Sequence, residues 1–284
     1  MNFNEIWKDL WQKQRVLMFT GAGFLVLLLI LILVSLVDSQ EVTGVNRWMK
    51  PVKFANSIAV YLWTLAFYLY FLAGAEKSRR VIAYGAAAML TGEIILIVMQ
   101  AARGTSSHFN NSSAFDGAVF SLMDLMIVVN TLLIIYLTYL YFRFRFNLPK
   151  AIVWGMRFGL ILFLLASFQG GYMSAQTGHA VGAADGGAGL PLVNWSTEGG
   201  DLRVAHFVGM HALQAIPLFA LMLVRLQKRF SPIRPLALTI VFAIVYGAAF
   251  SLVFVQALKG KPLFGREIIV AEKIISEFYA KKLL

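Results

Sequence analysis

The chain has 284 residues, 59% of them hydrophobic and 14% charged, with a mean hydropathy of +0.73. Soluble domains run at roughly 45–50% apolar and about 25% charged, so an ordinary soluble globule, a disordered chain and a fibrous repeat are excluded. The net charge is +11 and cysteine is absent, which removes disulfides, thiolate-held zinc, iron–sulfur clusters and covalently attached c-type haem.

At the N-terminus Phe3, Ile6, Trp7, Leu10 and Trp11 recur at helical spacing with Lys8 and Lys13 among them, which predicts an interfacial helix within residues 1–15. A spanning helix needs about 20 mostly apolar residues. Seven such runs follow, at 16–37, 54–75, 81–100, 117–141, 152–173, 204–224 and 236–258. The first is longer than the 7–15-residue core of a signal peptide and lacks a small-residue cleavage site, so it reads as a retained helix. The spans take more than half of the chain and leave no room for a separate soluble domain. The expectation is an all-α, polytopic bundle forming one integral membrane domain over 1–284, closed by an amphipathic tail at 259–284 that carries Ile268, Ile275, Phe278 and Tyr279. A half-helix hidden in 41–53 would change the parity of the spans. The glycine-rich stretch 174–203 follows no strand and has no phosphate-loop pattern; it reads as a flexible cover over one mouth of the bundle.

Position resolves the basic excess. With the N-terminus inside, the inner segments hold Lys8, Lys13, Arg15, Lys77, Arg79, Arg80, Arg143, Arg145, Lys150, Arg225, Lys228, Arg229 and Arg234, thirteen in all. The outer loops hold five: Arg47, Lys50, Lys53, Arg103 and Arg203. The positive-inside rule therefore predicts N-in and C-out in the cytoplasmic (inner) membrane of a bacterium. The charge is topology, with the lipid bilayer as partner and no nucleic acid. The six Lys and Arg of the tail weigh against its outer placement, and the oligomeric state stays open.

Ionisable side chains inside a bilayer cost at least a few kcal/mol unless paired, so each marks a candidate site. Glu93 and Asp124 lie within the third and fourth spans at one depth. Glu93, Gln100 and Arg103 share a helix face, as do Asp116, Phe120 and Asp124, and the two faces are expected to meet across a polar cavity open to the outside. The alternative is two separately satisfied packing acids. All four histidines, His108, His179, His206 and His211, fall on the predicted outer side. His206 and His211 project about 140° apart, which is awkward for one metal. They flank a face with Arg203, Met210, Gln214 and Pro217, where a proline kink would widen a cavity. Arg103 and Arg203, with Lys50 and Lys53, form a basic rim suited to phosphate, carboxylate or haem propionates, although interfacial snorkelling accounts for the two lysines.

At Arg103–Asn110 (RGTSSHFN) and Asp201–Gln214 (DLRVAHFVGMHALQ) the chain resembles a family of seven-span bacterial membrane proteins, a resemblance that brings no activity or ligand. More loosely it is similar to membrane hydrolases of the ceramidase and progestin–adipoQ-receptor type, which gather zinc with a Ser-x-x-x-His, an Asp on the next helix and a later His-x-x-x-His. His108, Asp116, His206 and His211 echo that order. Ser107, however, adjoins His108, and the later pair is five apart on the sixth span.

Four functions follow from these residues. The leading one is a metal-dependent enzyme acting on a lipid-like or small-molecule substrate. His108, Asp116 and one or both of His206 and His211 would hold zinc or another divalent ion. Arg103, Arg203, Gln100 and Gln214 would hold the substrate, and Glu93 or Asp124 would move protons. The second is a redox protein with haem b between His108 and His211. The third is a proton- or ion-coupled transporter or channel using Glu93 and Asp124. The fourth is a scaffold whose polar groups only satisfy one another.

Overall fold

A computed structural model of the chain describes residues 3–186, 189–191, 193–230 and 232–265. Within them the structure is helical apart from two minimal hairpins. The helix α1 (Phe3–Lys13) precedes seven helices long and apolar enough to cross a membrane: α2 (Arg15–Val37), α3 (Met49–Phe71), α4 (Glu76–Ala102), α5 (Ala114–Arg143), α6 (Lys150–Ala175), α7 (Leu202–Gln227) and α8 (Pro235–Leu258). The seven expected spans are all present. The amphipathic tail beyond residue 265 lies outside the described residues.

The second span moves as a whole, beginning five residues early at Met49 and ending four early at Phe71. Pro51 falls in the first turn of α3, where a backbone N–H has no partner within the helix, so proline costs nothing there. At the other end Gly74, with φ +77, reverses the chain into α4. No half-helix occupies 41–53. Strand β1 (Glu41–Val42) instead pairs antiparallel with β2 (Val45–Asn46) across Thr43 and Gly44, both at positive φ as a tight hairpin turn requires. The number of spans therefore stays odd.

Alternation of the spans creates two ends. The α1 face carries α1 and the short turns 72–75, 144–149 and 228–234; the loop face carries the β1–β2 hairpin and the connections 103–113 and 176–201. Helix α1 docks through Ile6 and Leu10, which are buried. Trp7 packs edge-on against Trp63 of α3 at 5.5 Å, and Asp9 accepts hydrogen bonds from Tyr70 Oη at 2.9 Å and Lys13 Nζ at 2.7 Å.

Lipid supplies little hydrophobic drive between helices, so close packing relies on small residues. The α6–α7 contact is built this way. A Cβ on Gly159 would lie 2.9 Å from the Ala212 carbonyl oxygen, and one on Gly209 would lie 2.5 Å from Ala166 Cβ. Pro217 does not open the expected cavity: α7 runs through it, and its Cα lies against Gly155, where an added Cβ would approach to 3.1 Å. Outward-facing side chains such as Leu33, Ile95, Leu125, Val245 and Leu252 are exposed. That arrangement belongs to a protein whose solvent is the hydrocarbon of a bilayer.

Candidate functional site

The expected meeting of the α4 and α5 faces occurs at the loop end of the bundle. Glu93 of α4 is 1% exposed, and neither of its carboxyl oxygens has a hydrogen-bond donor. The group facing it is His108, from the connection between α4 and α5, whose Nε2 stands 3.5 Å from Glu93 Oε1. That distance is longer than a formed N–H···O bond. The other ring nitrogen, Nδ1, lies 3.1 Å from Ser107 Oγ. Phe54, Phe109 and Phe120 surround the imidazole, with ring centroids 5.7, 6.1 and 6.2 Å away. This burial holds His108 well below the ordinary histidine range, and the positive charge of Lys50 adds to it.

Two further groups act electrostatically on Glu93: Lys50 at the start of α3, and Asp124 of α5. Lys50 also lies over Phe54, with Nζ 5.9 Å from the ring centre. Asp124 accepts a hydrogen bond from Ser174 Oγ of α6 at 2.5 Å. On the loop side, His179 packs against Phe109 at 4.8 Å, and Asp185 Oδ2 receives its backbone N–H at 2.8 Å and lies 3.1 Å from its Nδ1. Burial lowers His179 despite the Asp185 partner, while the bonds from His179 outweigh burial at Asp185 and bring that carboxyl down to about 2. Phe109 packs on both imidazoles, with His108 facing Glu93 and His179 facing Asp185.

The glycine-rich connection is tied down rather than draped. Strand β3 (Ala180–Val181) pairs with β4 (Gly200–Asp201), and the hairpin presses on the end of α8. A Cβ on Gly200 would meet the Ala257 carbonyl oxygen at 1.9 Å, and one on Gly182 would come within 3.3 Å of Gly260 Cα. Lys53 Nζ donates to the Val193 carbonyl at 3.1 Å, and Arg203 Nη2 to that of Asn194 at 2.5 Å. Gly182 and Gly200 permit this close backbone approach.

The residues expected to bind substrate are occupied elsewhere. Ser113 caps α5: its Oγ accepts the Asp116 backbone N–H at 3.1 Å and donates to Asp116 Oδ2 at 2.6 Å, while Asp116 Oδ1 receives Gln100 Nε2 at 2.9 Å and Arg103 Nη1 at 2.6 Å. Arg103 also stacks on Phe115, at 4.6 Å. Asp201 caps α7 and holds Arg203 through Nε at 3.0 Å and Nη2 at 2.6 Å. These arginines are fastened to the protein's own aspartates. Gln214 reaches Thr64 of α3 at 3.0 Å and leaves its Oε1 buried without a donor.

The four residues expected to hold a metal are not gathered. Asp116 is spent as described, and His206 Nδ1 lies 2.9 Å from the Ala166 carbonyl, filling the space beside Gly170. His211 is exposed and lies 2.8 Å from the Phe207 carbonyl on its own helix. Among the described residues no three His, Asp or Glu side chains converge as ligands for one ion. The donor set does not fit zinc, which takes four ligands within about 2.3 Å. It does not fit haem b between His108 and His211 either, since both ring nitrogens of His108 face protein partners.

Sequence reasoning passed over three participants. Lys50 reads as a snorkelling lysine until α3 is seen to start below it, and Ser174 and Asp185 carry no pattern of their own. A polar residue near the end of an apolar run was the one available signal. No protein-family model, curated protein or solved structure matches the chain.

Proposed function

We propose that this integral membrane protein conducts protons through the Glu93–His108 site, with Asp124 as the second acid. The supporting observation is Glu93: a carboxyl group buried in a helix bundle with no hydrogen-bond donor on either oxygen, and an imidazole 3.5 Å away. An unpaired carboxylate in such a place costs several kcal/mol, so its resting form holds a proton or admits a cation. Its neighbour supports transfer. A small movement closes 3.5 Å to hydrogen-bond length, as such contacts commonly do in the working state. His108 can then pass the proton between its two nitrogens toward Ser107 and the loop, and Asp124 with Ser174 offers a second stop toward α6.

The charge distribution favours the N-terminus in the cytoplasm and hence the site in the outer leaflet of a bacterial inner membrane. A metal-dependent hydrolase would need Asp116 and His211 to leave the partners they have, and no observation favours that exchange.

The test is proton flux into proteoliposomes carrying a trapped pH dye, driven by an imposed pH gradient. Wild-type protein is expected to dissipate the gradient faster than protein-free vesicles, Glu93→Gln to slow it at least tenfold, and Asp124→Asn to slow it less. Flux in Glu93→Gln equal to wild type, or wild-type flux no greater than in empty vesicles, overturns the proposal.

A further inference from the structure

At the α1 face, away from Glu93, a crevice of ≈ 430 Å³ opens between the start of α4 and the end of α5. Its size is that of a small-ligand pocket, roughly 300–1,000 Å³. Lys77 and Arg143 line it, both side chains are exposed, and among the described residues no carboxylate stands within ion-pair distance of either. The acid at its rim, Glu76, is directed to Arg79 at 3.5 Å. The same crevice is lined by Ser78 and Tyr136, whose hydroxyls lie 2.7 Å apart. The rings of Tyr136 and Tyr139 stack, 6.5 Å between centres and 13° between planes, on the outward side of α5.

Snorkelling alone explains long cations at a membrane surface. It does not call for a shared crevice, a hydroxyl pair in its lining or two stacked tyrosines beside it. Two unneutralised cations with two hydroxyl groups match an anion of several oxygens, and the tyrosines suit a boundary where one side is water and the other acyl chain. We propose that this crevice binds a phosphate group, the chemistry shared by an anionic phospholipid headgroup and by free phosphate. The site is independent of the proton path.

The experiment measures phosphatidylglycerol bound to the full-length protein in detergent by native mass spectrometry, with and without millimolar inorganic phosphate. The Lys77→Gln/Arg143→Gln pair is expected to lower lipid affinity about tenfold or more, as loss of charge-assisted bonds does. Tyr136→Phe should lower it less. The Arg225→Gln/Arg229→Gln pair, equal in charge and on the same face, should leave it within twofold of wild type. Lipid binding that inorganic phosphate does not displace assigns the headgroup as the source; displacement, with thermal stabilisation by phosphate alone, assigns the free ion. Equal losses in the two double variants, or no binding of either probe by wild-type protein, overturns the site.

Discussion

The two ends of the molecule use the same residue types in opposite ways. At the loop face three arginines are each fastened to an aspartate: Arg47 to Asp38, Arg103 to Asp116 and Arg203 to Asp201. The first two pairs join separate elements, and the third fastens Arg203 to the cap of its own helix. Asp38 also takes the Trp48 indole N–H at 2.8 Å, and Arg47 extends to the Ala102 carbonyl at 3.3 Å, tying the first hairpin to α4. At the α1 face, among the described residues, only Lys13 and Arg79 lie within ion-pair distance of a carboxylate, and both pairs stay within one helix. Paired charge at the loop face holds irregular backbone in place around the buried acids. Most of the charge at the α1 face has no such partner among the described residues and costs the fold little.

The contrast predicts graded effects of substitution. The largest belongs to Gly200→Ala, because the new methyl meets a backbone carbonyl at 1.9 Å and nothing there can rotate aside. A loss of about 3 kcal/mol or more is expected, read as a fall in thermal stability together with protease cleavage in 176–201. Wild-type stability in this variant would break the picture of a fastened loop face. Next is Asp201→Ala, which removes a 2% exposed cap and strands Arg203; about 2 kcal/mol is expected from the cap and its bonds. Chemical denaturation in mild detergent would check it, with Asp201→Asn keeping the cap and losing less.

Acidification should loosen the same face. In the fold, burial keeps His108 and His179 below their ordinary values, with Lys50 adding at the first and Arg203 at the second. The unfolded chain binds those protons from about pH 6.5 downward. Stability is therefore complete above that pH and declines as pH falls below it, whereas Asp185, at about 2, keeps its contribution until its unfolded range near pH 4. Amide protection factors in 103–113 and 176–185, corrected for the intrinsic pH dependence of exchange, should fall between neutral pH and about pH 5, and His179→Gln should flatten that response. An unchanged response in His108→Gln/His179→Gln would assign it to other groups. The smallest effect is at the α1 face, where Arg225→Gln should change stability by no more than about 0.5 kcal/mol. A larger change there would show that its charges also hold the fold.

Much of the architecture was legible in the sequence because a spanning helix writes itself as a run of apolar residues. The second span was misplaced because Lys50, Pro51 and Lys53 look like a boundary, yet proline is harmless in a first turn and Lys50 can turn inward over Phe54. The meeting of the Glu93 and Asp116 faces was legible from helical periodicity on consecutive helices. That His108 belongs with Glu93, whereas His206 and His211 bond to carbonyls of α6 and α7, was not. Histidines on one side of a membrane share a depth, and depth does not determine direction around a helix axis.

By itself the sequence determined the lipid surroundings, the number of spans, the uneven spread of basic residues between alternate connections and the two acids within consecutive spans, since each depends only on the identity and spacing of neighbours along the chain. Tertiary structure decided which cations are neutralised, that the glycine-rich connection is pinned to α8, and that one buried acid is left without a donor. Those outcomes depend on close approach between segments distant in sequence, and apolar periodicity carries no record of it.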